Sequence, residues 1–99
     1  EEEKGGITIR EADFVLEAPD AREVYLVGDF NGWRIDDSSR LGRLDDGKWK
    51  KSVPLVPGRY RYKFVVDGRW IMDEMNLERE GNPFGSFDSV LRVGVEVKN

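Results

Sequence analysis

Two tryptophans stand just beyond tight turns: Trp33 closes Gly28-Asp29-Phe30-Asn31-Gly32-Trp33, and Trp70 closes Val65-Val66-Asp67-Gly68-Arg69-Trp70. An indole is normally more stable inside a core than beside a polar turn, so this placement points to flat apolar platforms for a ligand. Asp67-Gly68 lies between two β-prone runs and predicts a two-residue type I′ hairpin, because Gly accepts the positive φ such a turn demands. That turn sets Val66 opposite Arg69, Val65 opposite Trp70, Phe64 opposite Ile71 and Lys63 opposite Met72, on alternating faces. Lys63 and Trp70 then share a face as diagonal cross-strand neighbours, a long ammonium side chain and an indole able to frame one ligand. The other face carries Tyr60, Tyr62, Phe64 and Val66 at period two, the pattern of a strand that buries one side.

Composition narrows what such a surface serves. The 99 residues, 38% hydrophobic and 36% charged, suit one globular domain with a single core. No apolar run approaches the roughly 20 residues that span a bilayer, so no membrane partner is expected. A formal charge of −4 argues against nucleic acid, whose binding draws its free energy from cations neutralising phosphates. The chain has no Cys and no His, which removes disulfides, the usual zinc sites, thiol nucleophiles and imidazole acid-base chemistry, and no cofactor is expected. The acidic run 1–6 reads as a linker or frayed terminus and 7–99 as one domain, monomeric in isolation. With no initiating Met, the chain reads as a fragment of a longer protein. Its location stays open, with the absence of Cys and of a signal segment tilting slightly toward the cytoplasm.

The elements that must hold these residues are short strands. They run roughly over Ile7 to Arg10, Asp13 to Glu17, Val24 to Val27, Lys48 to Val53, Gly58 to Val66, Arg69 to Met72 and Ser89 to Val97. Pro19-Asp20, Asp45-Asp46-Gly47, Pro57-Gly58, Asp67-Gly68 and Gly81-Asn82-Pro83 punctuate them. Met72 to Arg79 offers one short turn of helix. About seven strands spaced this way predict an all-β fold, an immunoglobulin-like antiparallel β-sandwich. Trp49, alternating with Lys48 and Lys50, belongs to the core or its edge, and Tyr25 to the core. Asp67 serves the turn. Asp36-Asp37 and Asp45-Asp46 lack the oxygen spacing of a calcium loop and read as solvated loops.

Val24-Tyr25-Leu26-Val27-Gly28-Asp29-Phe30-Asn31-Gly32-Trp33, then Gly47-Lys48-Trp49, Pro57 through Trp70, and Ser89-Val90-Leu91-Arg92-Val93 together resemble a glycogen-binding module. The type is the isoamylase amino-terminal one, carbohydrate-binding module family forty-eight, which includes the module on the β subunit of AMP-activated protein kinase. The resemblance runs from about Phe14 to Val93. It implies that Trp33 and Trp70 stack on glucose rings of an α-1,4-linked glucan while Lys63 hydrogen-bonds sugar hydroxyls. It further implies contacts from Phe84, Ser86 and Asp88 in the loop before the last strand. Phe84 keeps the family's apolar side chain and Ser86 its hydroxyl, whereas Asp88 replaces an amide with a carboxylate that only accepts. Asp73-Glu74 stands where the family has Asp-Pro, which allows the loop after Trp70 another path. Two platforms from different loops, set at an angle, suit a curved helical glucan better than a flat ribbon. The function implied is non-catalytic binding of glycogen, starch or malto-oligosaccharide that anchors a larger parent protein. The alternative is a structural domain packed on an adjoining glycoside-hydrolase domain without holding sugar. A hydrolase is disfavoured, because its paired carboxylates need a deep cleft that so small a domain has little room for.

Overall fold

The computed structural model describes residues 8–94. Eight strands form in chain order: β1 Arg10–Glu17, β2 Val24–Gly28, β3 Gly42–Arg43, β4 Lys48–Leu55, β5 Gly58–Val66, β6 Arg69–Ile71, β7 Arg79–Gly81 and β8 Phe87–Val93. All pairings are antiparallel. One sheet has the order β1-β4-β3. The other runs β2-β5-β8-β7, with β6 added to β5. The two sheets pack as a sandwich, the architecture expected from the strand spacing.

Period-two alternation decides which side chains meet between the sheets. From the first sheet come Ala12, Phe14, Leu16, Trp49 and Val53; from the second come Val24, Leu26, Tyr62, Phe64 and Val66. Phe14 meets the Tyr62 ring edge-on at 5.0 Å between centroids, a favoured aromatic geometry at the centre of the core. Trp49 is buried, as its alternation predicts; its indole N–H donates to the Ala18 carbonyl at 2.9 Å and the Arg43 guanidinium lies 5.3 Å from its ring centroid. Tyr60 sits at the rim, half-buried, with its hydroxyl donating to the Val56 carbonyl.

Several expectations are corrected. The two strands drawn at Ile7 to Arg10 and Asp13 to Glu17 are one strand from Arg10, while Ile7, the run 1–6 and the residues beyond Gly94 lie outside the described residues. Tyr25 is half-buried on the opposite face from Val24 and Leu26, and its hydroxyl meets Glu23 instead of the core. The segment Met72 to Arg79 makes a single turn, closed by the Asn76 N–H on the Asp73 carbonyl at 3.1 Å, and goes no further toward a helix. Asp73 Oδ1 takes the Met75 N–H and Asn76 Oδ1 takes the Glu78 N–H, local side-chain bonds that displace the helical ladder.

The hairpin has the expected register, Val66 to Arg69, Val65 to Trp70 and Phe64 to Ile71. Asp67 and Gly68 take φ of 48° and 86°, as a type I′ turn requires. Asp67 does more than turn the chain. Its carboxylate accepts from the backbone N–H groups of Glu23 and Arg22, which holds its pKa below the usual carboxylate range and ties the hairpin tip to the start of β2.

Candidate functional site

Strand β5 pairs with β8 over Gly58–Tyr62 and with β6 over Phe64–Val66. Lys63 is the residue at which β5 passes from one neighbour to the other. The chain between β6 and β8 leaves the sheet at this seam and returns beside it. Register places Val27 opposite Lys63 and Val90 opposite Arg61, so these residues share the outer sheet face with Val65 and Trp70. Val27, Val65 and Val90 are fully covered there and form an apolar floor.

Trp33 is fixed by the loop that carries it. Asn31 Oδ1 accepts from the Gly28 and Trp33 N–H groups at 3.0 and 3.1 Å, and Asn31 Nδ2 donates to the Leu26 carbonyl at 2.9 Å. The Trp33 N–H also reaches the Gly28 carbonyl at 3.0 Å. These bonds hold Trp33 at φ 60°, a left-handed conformation unfavourable for a bulky residue. At the base of this loop β2 ends so close against β5 that a Cβ on Gly28 would lie 2.5 Å from the Arg61 carbonyl oxygen. Asp29 then orients the ring: Oδ1 accepts from Trp33 Nε1 at 3.2 Å, while Oδ2 accepts the Arg61 N–H at 2.9 Å and lies 3.5 Å from Arg61 Nε. The Trp33 and Trp70 rings face each other with centroids 6.5 Å apart and planes 20° from parallel, a shallower angle than platforms set at an angle imply.

The opposite wall is a closed polar loop. Asn82 Oδ1 accepts from the Phe84 and Ser86 N–H groups at 3.0 and 3.1 Å. Its Nδ2 donates to Ser86 Oγ and to Asp88 Oδ1, each at 2.9 Å. Lys63 Nζ donates to Ser86 Oγ at 3.0 Å and pairs with Asp88 Oδ1 at 3.7 Å. Phe84 projects outward from this loop with 91% of its surface exposed. Behind the wall, Tyr62 donates to Asp73 Oδ2 at 2.7 Å; burial, reinforced by that carboxylate, pushes the Tyr62 hydroxyl above the ordinary phenol range.

Trp33, Lys63, Trp70, Phe84, Ser86 and Asp88 all line one cavity of about 640 Å³, together with Arg61, Asn82 and Pro83. Arg61 is legible in principle, being two residues from Lys63 on the same strand face. Asn82 was read only as a turn former. Among the described residues, Asp88 is the one carboxylate lining this cavity, and it is engaged by Lys63 and Asn82. No cluster of three metal-ligating side chains exists among the described residues.

The family model described as the glycogen recognition site of AMP-activated protein kinase matches residues 13–98. A 1,4-alpha-glucan branching enzyme of Lactobacillus acidophilus is 41% identical over 75 residues, covering 71% of this chain and 11% of the enzyme. The chloroplastic protein FLOURY ENDOSPERM 6 of Oryza sativa is 39% identical over 75 residues, covering 76% of this chain and 14% of that protein. The chain thus spans about a tenth to a seventh of the length of the curated relatives it matches. A maltogenic amylase from S. marinus shares the fold over 92% of this chain and 14% of its own, with a TM-score of 0.74 at 22% identity.

Proposed function

Because the chain belongs to the family of the glycogen recognition site of AMP-activated protein kinase, we propose that it is a non-catalytic module that binds α-1,4-linked glucans in the cavity between Trp33, Trp70 and Phe84. The observation that carries this reading is the pair of indoles with centroids 6.5 Å apart beside the hydrogen-bonding rim of Lys63 and Ser86. A glucan offers C–H-rich ring faces and a rim of hydroxyls, and flat apolar surfaces flanked by polar groups match both. Covering about 100 Å² of apolar surface on each indole contributes on the order of 2–3 kcal/mol before ordering costs. With few polar contacts added, the affinity belongs in the micromolar to millimolar range, roughly −4 to −8 kcal/mol.

The relatives are longer proteins acting in glucan metabolism or carried in chloroplasts by their names, which supports a module that holds a larger parent on polymer. Many chain ends on one glycogen particle then strengthen retention through multivalency. The test is a calorimetric titration with maltoheptaose, with a cello-oligosaccharide of equal length as control, followed by retention on glycogen and on cellulose. Binding of maltoheptaose with little or no binding of the control is expected. No heat with either sugar moves the reading to a scaffold domain, and equal retention on both polymers removes the α-glucan specificity.

A further inference from the structure

The two cations on the cavity wall, Lys63 and Arg61, are each matched by a carboxylate of the chain itself. Lys63 Nζ lies 3.7 Å from Asp88 Oδ1, the two side chains only 11% and 7% exposed. Arg61 Nε lies 3.5 Å from Asp29 Oδ2. Asp88 Oδ1 also accepts from Asn82 Nδ2 at 2.9 Å, so a hydrogen bond within the protein already holds the carboxylate beneath Lys63. A largely covered ammonium with no such partner is an anion site; a carboxylate beside it cancels the charge and leaves N–H groups to meet neutral hydroxyls.

We infer that Asp88 is a positioning and specificity-determining residue, which holds Lys63 from beneath without touching sugar and makes the cavity admit uncharged glucan in preference to phosphate-esterified glucan. The inference rests on the glucan-binding reading and adds to it the class of sugar selected. A phosphate ester carries about −1.5 to −2 charges near neutral pH. With Lys63 and Arg61 each already paired, the ester meets no net positive charge on this wall and enters the field of a chain of net charge −4, which weakens binding by about tenfold or more.

The test compares maltoheptaose with maltoheptaose bearing one phosphate ester on an internal glucose, titrated into the wild type and Asp88→Asn at low and high ionic strength. Asn keeps an oxygen that accepts from Asn82 and removes the charge. The wild type is expected to bind the neutral sugar at least about tenfold more tightly, with the gap narrowing in salt as screening acts, which steric exclusion does not do. In Asp88→Asn the ratio is expected to fall to near one or to invert. A thermal melt checks that this variant folds, since it leaves Lys63 unpaired; where it does not, the wild-type ratio and its salt dependence decide. Equal wild-type affinities, or a preference unmoved by salt and by the substitution, overturn the inference and leave the glucan site standing. Failure of the wild type to bind unphosphorylated maltoheptaose overturns the glucan reading, and this inference with it.

Discussion

Replacing Trp70 and Trp49 in turn by alanine separates a ligand platform from a core residue, because the same truncation removes different neighbours. Trp70 keeps 48% of its surface exposed. On an indole of roughly 250 Å², that leaves about 120 Å² for a sugar ring to cover, about 3 kcal/mol at ~25 cal/mol per Å². Ordering costs reduce this, so Trp70→Ala is expected to weaken maltoheptaose binding by about 2 kcal/mol, roughly thirtyfold. The covered half of the indole, about 130 Å², lies beside Trp33, and losing it costs about 2–3 kcal/mol of stability. Trp49, 3% exposed, loses core packing, its bond to the Ala18 carbonyl and its contact with Arg43 together. Trp49→Ala is expected to cost about 3–5 kcal/mol, much of the roughly 5–15 kcal/mol a domain of this length possesses. Urea melts give the stabilities, and calorimetry at low temperature gives affinities for the folded fraction. If Trp70→Ala unfolds as readily as Trp49→Ala while its folded fraction binds like the wild type, the platform assignment is refuted.

Asp29→Ala releases the Trp33 indole N–H and Arg61; maltoheptaose affinity should fall by about fivefold with a small change in melting temperature, and unchanged affinity would show that the ring needs no tether. Asp67 has its acidity strengthened chiefly by the Glu23 and Arg22 backbone N–H groups. Its contribution is complete above the unfolded carboxylate pKa near 3.9 and is lost as pH falls through the lower folded value. The melting temperature should therefore drop on acidification below about pH 4, and less so in Asp67→Asn, which keeps the turn; superimposable profiles would refute the link. Gly28→Ala, whose new Cβ meets Arg61 O at 2.5 Å and Tyr62 Cβ at 2.9 Å, should cost about 3 kcal/mol or more in a urea melt. Gly68→Ala, with nothing within 4 Å but φ +86°, should cost only about 1–2 kcal/mol, and equal costs would contradict the packing argument.

What was legible in the sequence is what periodicity and turn chemistry encode. Asp67-Gly68 specifies its own turn and alternation specifies the faces, so the register of β5 with β6 and the shared face of Lys63 and Trp70 follow from about ten residues. Trp49 was legible for the same reason. The two shortest missed strands, β3 and β7, were not, because Gly42–Arg43 and Arg79–Gly81 contain no alternating apolar signal and form only where a partner offers its edge. Asn31, Asn82 and Asp29 were hidden for a different reason. Their types favour turns in any context, and their placement becomes visible only when the backbone groups they bind are located in space.

On the glucan-binding proposal, those residues together with Ser86 and Asp88 set how the cavity binds. Asn82 has both amide hydrogens and its carbonyl oxygen committed to the loop. Ser86 Oγ accepts from Lys63 and Asn82, which leaves its own O–H as the donor for a ligand. Asp88 is taken by Lys63 and Asn82. Most polar atoms on the wall are thus satisfied before any sugar arrives, so a ligand gains few strong hydrogen bonds and little charge attraction. In return the loop and the Trp33 ring are already ordered, and ordering costs on binding are small. On the proposed glucan-binding reading, affinity rests on the uncovered faces of Trp33, Trp70 and Phe84, surfaces that any turn of a repeating polymer can cover. A site built this way favours weak, repeated engagement along a glucan over tight capture of one oligosaccharide.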